Sequence, residues 1–439
     1  MVKKVLKLII IICICIGIYY GIGLTYKRQK PELEQKEIDQ KIFSIFQTRC
    51  AEITEFYTYG KSLNVSGILT EISKDNFESV RLVISDGQEY EKMYKMNSEF
   101  KDNVLHFHSD QEINNTIIID ELKNKEYYIY LRIKLNNDVD PRYYSFKNIS
   151  EYPEIGYYTV TKDNLNRKAE ISFKEKEYNE NKYSYLGIKL EDSELPDEVY
   201  DIVIDAGHGG RDKGVKSGTD TEEAIVFEYA KMLKTSLEEN GFKVKLTRND
   251  ENTELYNDTN MYDSAGRITS ACKSKAKLMI SLHVNNGKES LSGLEIYSPS
   301  KSNLSFASNM ASKIKEYSNI GYSNNTLYKM LDGVYVKNFT NSVIKEYENT
   351  ANKKGYEPYK ITTDTPYLYT IREVGGIATN AYVDGRNETY SKNVYYNANY
   401  GIECYQVELG FIKNDLEIIK NEKENYIRGI TEAIIEWNK

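Results

Sequence analysis

From Val199 onward, short apolar runs alternate with amphipathic runs of helical period, and this alternation constrains the fold more than any other feature of the chain. Val199–Ile204, Lys243–Thr247, Lys277–Leu282, Gly293–Tyr297, Tyr367–Ile371 and Ile402–Val407 read as strands. Glu222–Asn240, Asn260–Lys275, Ser302–Tyr317 and Asp415–Trp437 read as helices. In the first helix Ile225, Phe227, Ala230, Leu233 and Leu237 share one side, and Gly241 follows as a C-terminal stop. Strands joined through helices predict an α/β domain over 199–439, with a largely parallel sheet flanked by helices. Sites in such sheets lie at the carboxyl ends of the strands.

The preceding region has a different rhythm. Between 61 and 198, short β-branched and aromatic runs such as Asn64–Glu71, Val80–Ile84, Val104–His108 and Tyr127–Leu135 are separated by turn residues, with no helical period between them. That pattern predicts an all-β, sandwich-like accessory domain. His106 and His108 alternate on one strand and would face the same side. Residues 31–60 read as an amphipathic stem helix, because Ile38, Ile42, Ile45, Phe46, Cys50, Ile53 and Phe56 recur at three- and four-residue spacing. At the start, residues 8–26 form a run of 19 residues without charge, preceded by Lys3, Lys4 and Lys7. Roughly 28 Å of helix would span a bilayer. No A-x-A-like cleavage site follows, so residues 1–30 are expected to be a cytoplasmic tip and a transmembrane signal-anchor. Single-pass attachment to the cytoplasmic membrane is expected, with the rest of the chain outside the cell, on the cell-wall side; charge does not set this orientation, because Lys27, Arg28 and Lys30 balance the N-terminal lysines. Secretion after signal cleavage is the alternative.

Composition excludes several classes. A net charge of −8 offers no basic footprint for nucleic acid. The five cysteines form no CxxC and no Cys/His cluster, which argues against a disulfide framework and a thiolate zinc site. Any histidine chemistry must draw on only four histidines.

Polar residues gather at three strand ends and one helix start. They are Asp205-Ala206-Gly207-His208-Gly209-Gly210, Ser281-Leu282-His283-Val284-Asn285, Val407-Glu408-Leu409-Gly410-Phe411, and Glu222-Glu223. A parallel sheet brings these to one rim, where two imidazoles and two or three carboxylates share a cleft. Such a set suits catalytic zinc, which takes three N/O protein ligands and keeps one position for water. A further carboxylate can then act as general base and acid.

These residues also carry a resemblance. Val203-Ile204-Asp205-Ala206-Gly207-His208-Gly209-Gly210 with Asp212 and Gly214 is similar to the opening of the zinc-dependent N-acetylmuramoyl-L-alanine amidases of the type 3 family. Glu222 with its helix, Leu246-Thr247-Arg248, Arg267 with Leu278–Asn285, and Glu408-Leu409-Gly410-Phe411-Ile412 with Asn414 match in the same order. The resemblance covers about 199–439. It implies hydrolysis of the amide between N-acetylmuramic acid and L-alanine of the peptidoglycan stem peptide, with one Zn2+ per catalytic domain. It implies His208, Glu222 and His283 as zinc ligands and Glu408 as the catalytic glutamate. Asn285 matches a position that either contacts substrate or caps the following loop. Arg248 and Arg267 match arginines that look structural, and Glu223 reads as a solvated first-turn acid.

Two insertions depart from the family, at 329–364 and 373–401. Asn338–Lys354 reads as a helix carrying Val343, Ile344 and Tyr347, with Glu346 and Glu348 among its polar residues. It could extend the substrate groove, or cover the zinc until a protein regulator removes it. A zinc peptidase acting on wall peptides and a non-catalytic wall-binding scaffold are the competing functions.

Overall fold

The computed structural model describes residues 32–109, 115–148, 154–160, 166–253, 266–300, 302–355, 361–375 and 400–438. The first element, α1, is the helix over residues 32–43. Eleven strands follow: β1 (Cys50–Tyr59), β2 (Ser62–Leu69), β3 (Phe77–Ser85), β4 (Glu91–Lys101), β5 (Val104–Ser109), β6 (Ile117–Ile118), β7 (Glu126–Leu135), β8 (Arg142–Asn148), β9 (Ile155–Val160), β10 (Asn166–Tyr178) and β11 (Asn181–Asp192).

These strands close into a barrel rather than a sandwich. Pairing runs β1-β2-β5-β4-β3-β7 and continues through β8 back to β1. The closing β8–β1 pair is parallel, from Cys50↔Ser145 to Ile53↔Asn148. β9, β10 and β11 extend the sheet from the first half of β7. Alternating apolar residues reveal strands but not which distant pair closes the ring, so the sandwich expectation is corrected to a barrel. Ile53, Phe56, Val65, Leu82, Leu105, Leu131 and Phe146 are among its buried core residues.

The stem helix is also shorter than its spacing suggested. It stops at residue 43, and Cys50–Tyr59 is a strand. A register shift between Ile53 and Glu55 places Ile53 and Phe56, three residues apart, both inward. The bulge thus produces a helical spacing within a strand. α1 and the turn after it lay Ile42, Phe43 and Phe46 on Tyr128, Tyr130, Tyr183 and Tyr185. The transmembrane helix expected over 8–26 falls outside the described residues. Among those described, no helix is long and apolar enough to cross a membrane. The described residues therefore form a barrel followed by an α/β domain, in place of the expected sandwich, and no membrane-spanning helix is among them.

The α/β domain contains β12 (Ile202–Ala206), β13 (Lys216–Ser217), β14 (Asp220–Thr221), α2 (Glu222–Glu239), β15 (Val244–Leu246), α3 (Arg267–Lys273), β16 (Leu278–Asn285), β17 (Glu295–Tyr297), α4 (Leu304–Tyr317), β18 (Lys329–Leu331), β19 (Val334–Tyr335), α5 (Asn341–Lys354), α6 (Tyr369–Val374), β20 (Tyr400–Gly401), β21 (Glu403–Phe411), α7 (Leu416–Asn421) and α8 (Lys423–Asn438). Its sheet is ordered β15-β12-β16-β21-β17-β19-β18. The first four strands are mutually parallel and β17 runs antiparallel to β21. The strand expected at Tyr367–Ile371 is instead the start of α6, where Ile371 and Val374 are buried in the core beside β21.

Two apolar layers cover the sheet. Side chains of α2, α4 and α8 fill one face. α3, α5 and α6 contribute to the other, together with Met279, Cys404 and Phe339. β20 pairs with β1 of the barrel through Thr58↔Tyr400 and Tyr59↔Gly401. Lys61 donates to the carbonyl of Trp437 at 2.7 Å, and Lys277 pairs with Asp120 at 3.0 Å. The β20–β1 pairing thus joins the barrel to the α/β domain immediately before the strand that carries Glu408, while Lys61 and Lys277 tie it to α8 and to the start of β16.

Candidate active site

β12 and β16 lie side by side in parallel, with Ala206 opposite Leu282, so the loop after β12 meets the end of β16. Gly207 N–H donates to the Leu282 carbonyl at 3.1 Å. A Cβ on Gly207 would stand 2.4 Å from the His283 ring, so only glycine lets the two strand ends approach this closely. His208 follows with φ +59, a left-handed conformation uncommon for a residue with a side chain.

Two arginines hold that loop from beneath. Arg267 is buried and gives one Nη1 to both Asp205 oxygens at 2.9 Å, while its Nη2 donates to the His208 carbonyl at 2.8 Å. Arg248 donates to the carbonyls of Ala206, Gly207 and Glu223. The two guanidiniums therefore fix backbone, as their structural reading expected. Glu223 differs from its reading as a solvated acid. It is buried and paired with Lys213.

Glu222 is the first residue of α2 and is buried. Its Oε2 accepts from Val215 N–H at 3.0 Å and faces His208 Nε2 at 3.0 Å. Its Oε1 accepts from Val284 N–H at 2.9 Å and lies 3.1 Å from His283 Nδ1. Asp212 Oδ2 holds His208 Nδ1 at 2.7 Å, which turns Nε2 toward Glu222. The ligand-type atoms of His208, Glu222 and His283 lie within 4.8 Å of one another. Among the described residues this is the one group of three or more such side chains that could hold a metal.

The electrostatics match this grouping. Burial disfavours the charged form of Glu222, but hydrogen bonds and charge from His208 and His283 outweigh it and hold the carboxyl far below its usual range. Burial lowers His208, and contacts with Glu222 and Asp212 more than compensate, raising it to about 9. A divalent cation would supply the same positive charge. Two imidazoles and one carboxylate form the donor set that zinc takes in catalytic sites, and an outer carboxylate on a ligand histidine is the usual support.

Glu408 lies opposite His283 in the parallel β16–β21 pair. Burial pushes its carboxyl up to about 7, opposed by His283 and reinforced by Glu222. Gln406 donates to its Oε1 at 2.7 Å. Glu295 lies opposite Glu408 on β17 and is fully buried, with Asn285, Tyr297, Ser323 and Asn325 donating to it. Asn285, at the end of β16, is thus engaged with the start of β17 and with the first loop residue. Its Nδ2 holds Glu295 at 2.8 Å and its Oδ1 accepts from Asn286 N–H.

Asp212, Gln406 and Glu295 received no role from sequence. His208 and Asp212 are four apart across a glycine-rich turn, a spacing that carries no signal without the turn's conformation. Gln406 and Glu408 alternate on β21, which was legible only as a strand. In the first insertion, α5 packs Val343, Ile344 and Tyr347 against the sheet, while Glu346 and Glu348 are exposed. His106 and His108 face the same side of β5 and line a cleft of about 570 Å³ with Glu55, Asn64 and Ser300.

Residues 202–437 match a family model described as N-acetylmuramoyl-L-alanine amidase. A curated relative, the uncharacterized protein YqiI of Bacillus subtilis (strain 168), is 31% identical over 102 residues, which is 23% of this chain and 46% of that protein. The chain thus spans about half the length of the curated relative it matches. Similar solved structures include the amidase AmiC2 of Nostoc punctiforme, at 16% identity, TM-score 0.35, covering 55% of this chain and 97% of that one. Cwp6 from Clostridium difficile has 21% identity, TM-score 0.35, and coverage of 55% and 29%. The CwlD amidase from Clostridioides difficile, solved with the GerS lipoprotein, has 17% identity, TM-score 0.31, and coverage of 54% and 98%.

Proposed function

Because the chain belongs to the N-acetylmuramoyl-L-alanine amidase family, we propose that it hydrolyses the amide joining the lactyl carboxyl of N-acetylmuramic acid to L-alanine in peptidoglycan, using Zn2+ held by His208, Glu222 and His283. The convergence of those three donors within 4.8 Å, beside buried Glu408, carries the reading. Bound there, zinc supplies Lewis acidity that makes water a better nucleophile and the amide carbonyl a better electrophile. The protein's own groups supply the rest. Asp212 keeps the proton of His208 on Nδ1, leaving Nε2 free as a ligand. Gln406 holds Oε1 of Glu408, so Oε2 is free to take a proton from the attacking water. The water oxygen bonds to the carbonyl carbon, the C–N bond breaks, and Glu408 returns the proton to the departing alanine nitrogen. A carboxylate and an amine result. A peptidoglycan substrate puts this action on the wall side of the cytoplasmic membrane.

Glu408→Gln tests the assignment. It should retain stoichiometric zinc and lose cleavage by about 10²–10⁴-fold. Loss of the metal with the activity would instead make Glu408 a ligand.

A further inference from the structure

The face of the sheet that presents Glu408 continues into the first insertion. Glu295 and Tyr297 of β17 stand opposite Glu408 and Gln406, and Tyr335 of β19 stands opposite Tyr297. The Tyr297 and Tyr335 rings are 5.5 Å apart. Opposed residues share a face, as do residues two apart. Lys337 lies two residues beyond Tyr335, past the end of β19, and its neighbour Tyr367 packs at 5.2 Å on Phe339, which belongs with Tyr297 and Cys404 to the apolar layer on that face.

The Lys337 ammonium is held by aromatic rings. It lies 4.4 Å from the centroid of Tyr367 and 5.5 Å from that of Tyr328. The surrounding backbone is clamped: Tyr367 N–H donates to the Lys337 carbonyl at 2.8 Å, and Val336 N–H to the Tyr328 carbonyl at 2.9 Å. Tyr328 sits at φ +65, a conformation that costs energy for a bulky residue and tends to persist at functional positions. Among the described residues, no carboxylate forms an ion pair with Lys337. Burial lowers its pKa, and the charge of Glu408 opposes that shift. The ammonium is therefore partly stripped of water without a carboxylate in return, an arrangement that favours an anionic ligand.

We infer that Lys337, cradled by Tyr328 and Tyr367, receives a carboxylate on the peptide part of the substrate. The inference rests on the amidase reading, in which the departing group is a peptide and so carries at least a C-terminal carboxylate. Beside the zinc-holding residues, the Glu295 and Glu408 side chains would repel a peptide carboxylate placed against them. A cation on the same face offsets the repulsion and sets which way the peptide lies. Lys337 is a specificity residue in this scheme and takes no part in bond cleavage.

The test compares two probes on the zinc-loaded full chain: an alanyl peptide with a free C-terminal carboxylate, and the same peptide as its carboxamide. Calorimetry gives Kd for both, and kcat/KM is measured on their N-acetylmuramoyl forms. The carboxylate form should be preferred by about tenfold, mainly through KM. Lys337→Met should bring the preference to about one, and Lys337→Arg should retain most of it. No preference in the unsubstituted protein, or an undiminished one in Lys337→Met, overturns the subsite. Failure to cleave either muramoyl peptide, with the Kd preference intact, overturns the amidase reading and leaves the subsite standing.

Discussion

Replacing Asp205 with Asn removes one charge from the pair that anchors the His208 loop. Asp205 is fully buried and accepts from Arg267, from Thr247 Oγ1 at 2.7 Å and from Ser281 Oγ at 2.7 Å. Arg267 is 2% exposed, so the substitution leaves a guanidinium out of water with no carboxylate. Breaking a buried pair in this way costs about 3–5 kcal/mol. For a domain of this size, that lowers the thermal midpoint by roughly 6–20 °C. Urea and thermal unfolding of the metal-free protein measure it. Removing the second charge as well, with Asp205→Asn plus Arg267→Met, should recover much of the stability. It should not recover metal affinity, because the Arg267 bond to the His208 carbonyl is gone. The pH dependence follows from the sign of the shift. Burial alone would raise Asp205, but Arg267, Thr247 and Ser281 outweigh it and hold its carboxyl below the usual range. Its stabilisation is therefore full above an unfolded pKa of about 3.9 and is lost as pH falls through the lower folded value. The deficit of Asp205→Asn should shrink in acid. A cost under about 1 kcal/mol, or a double variant less stable than the single one, would refute the reasoning.

Two further outcomes are expected. Asp212→Asn should weaken zinc binding by about 10–100-fold in a chelator competition, since His208 loses the carboxylate that orients it. In metal-free protein, burial raises Glu408 to about 7. The folded state therefore favours its protonated form, which stabilises below the ordinary carboxyl value and ceases to as pH rises toward 7. Stability measured from pH 4 to 8 should show this loss, and Glu408→Gln should remove it.

Much of the α/β domain was legible because its signals are local. Apolar runs marked β12, β16 and β21, and the helical period of Ile225, Ala230, Leu233 and Leu237 marked α2. The rule that sites occupy strand ends then pointed to His208, His283 and Glu408. What stayed hidden depends on distant pairing. The barrel closes through β1 and β8, nearly a hundred residues apart, and one bulge near Ile53 made a strand read as helix. Tyr367–Ile371 read as a strand because its aromatic and β-branched residues fit one, yet packing beside β21 makes most of it helical. Glu223 looked solvated from its place in a first helical turn, and only the fold shows it buried against Lys213.

Digestion of purified cell wall by the zinc-loaded protein, with a chelator-treated sample alongside, tests the central claim most directly. New alanine amino termini on stem peptides, an undiminished glycan chain length, and loss of this cleavage on chelation with its return on adding zinc are predicted. Cleavage at another peptide bond, new reducing sugar ends, or undiminished activity after complete zinc removal would contradict the account.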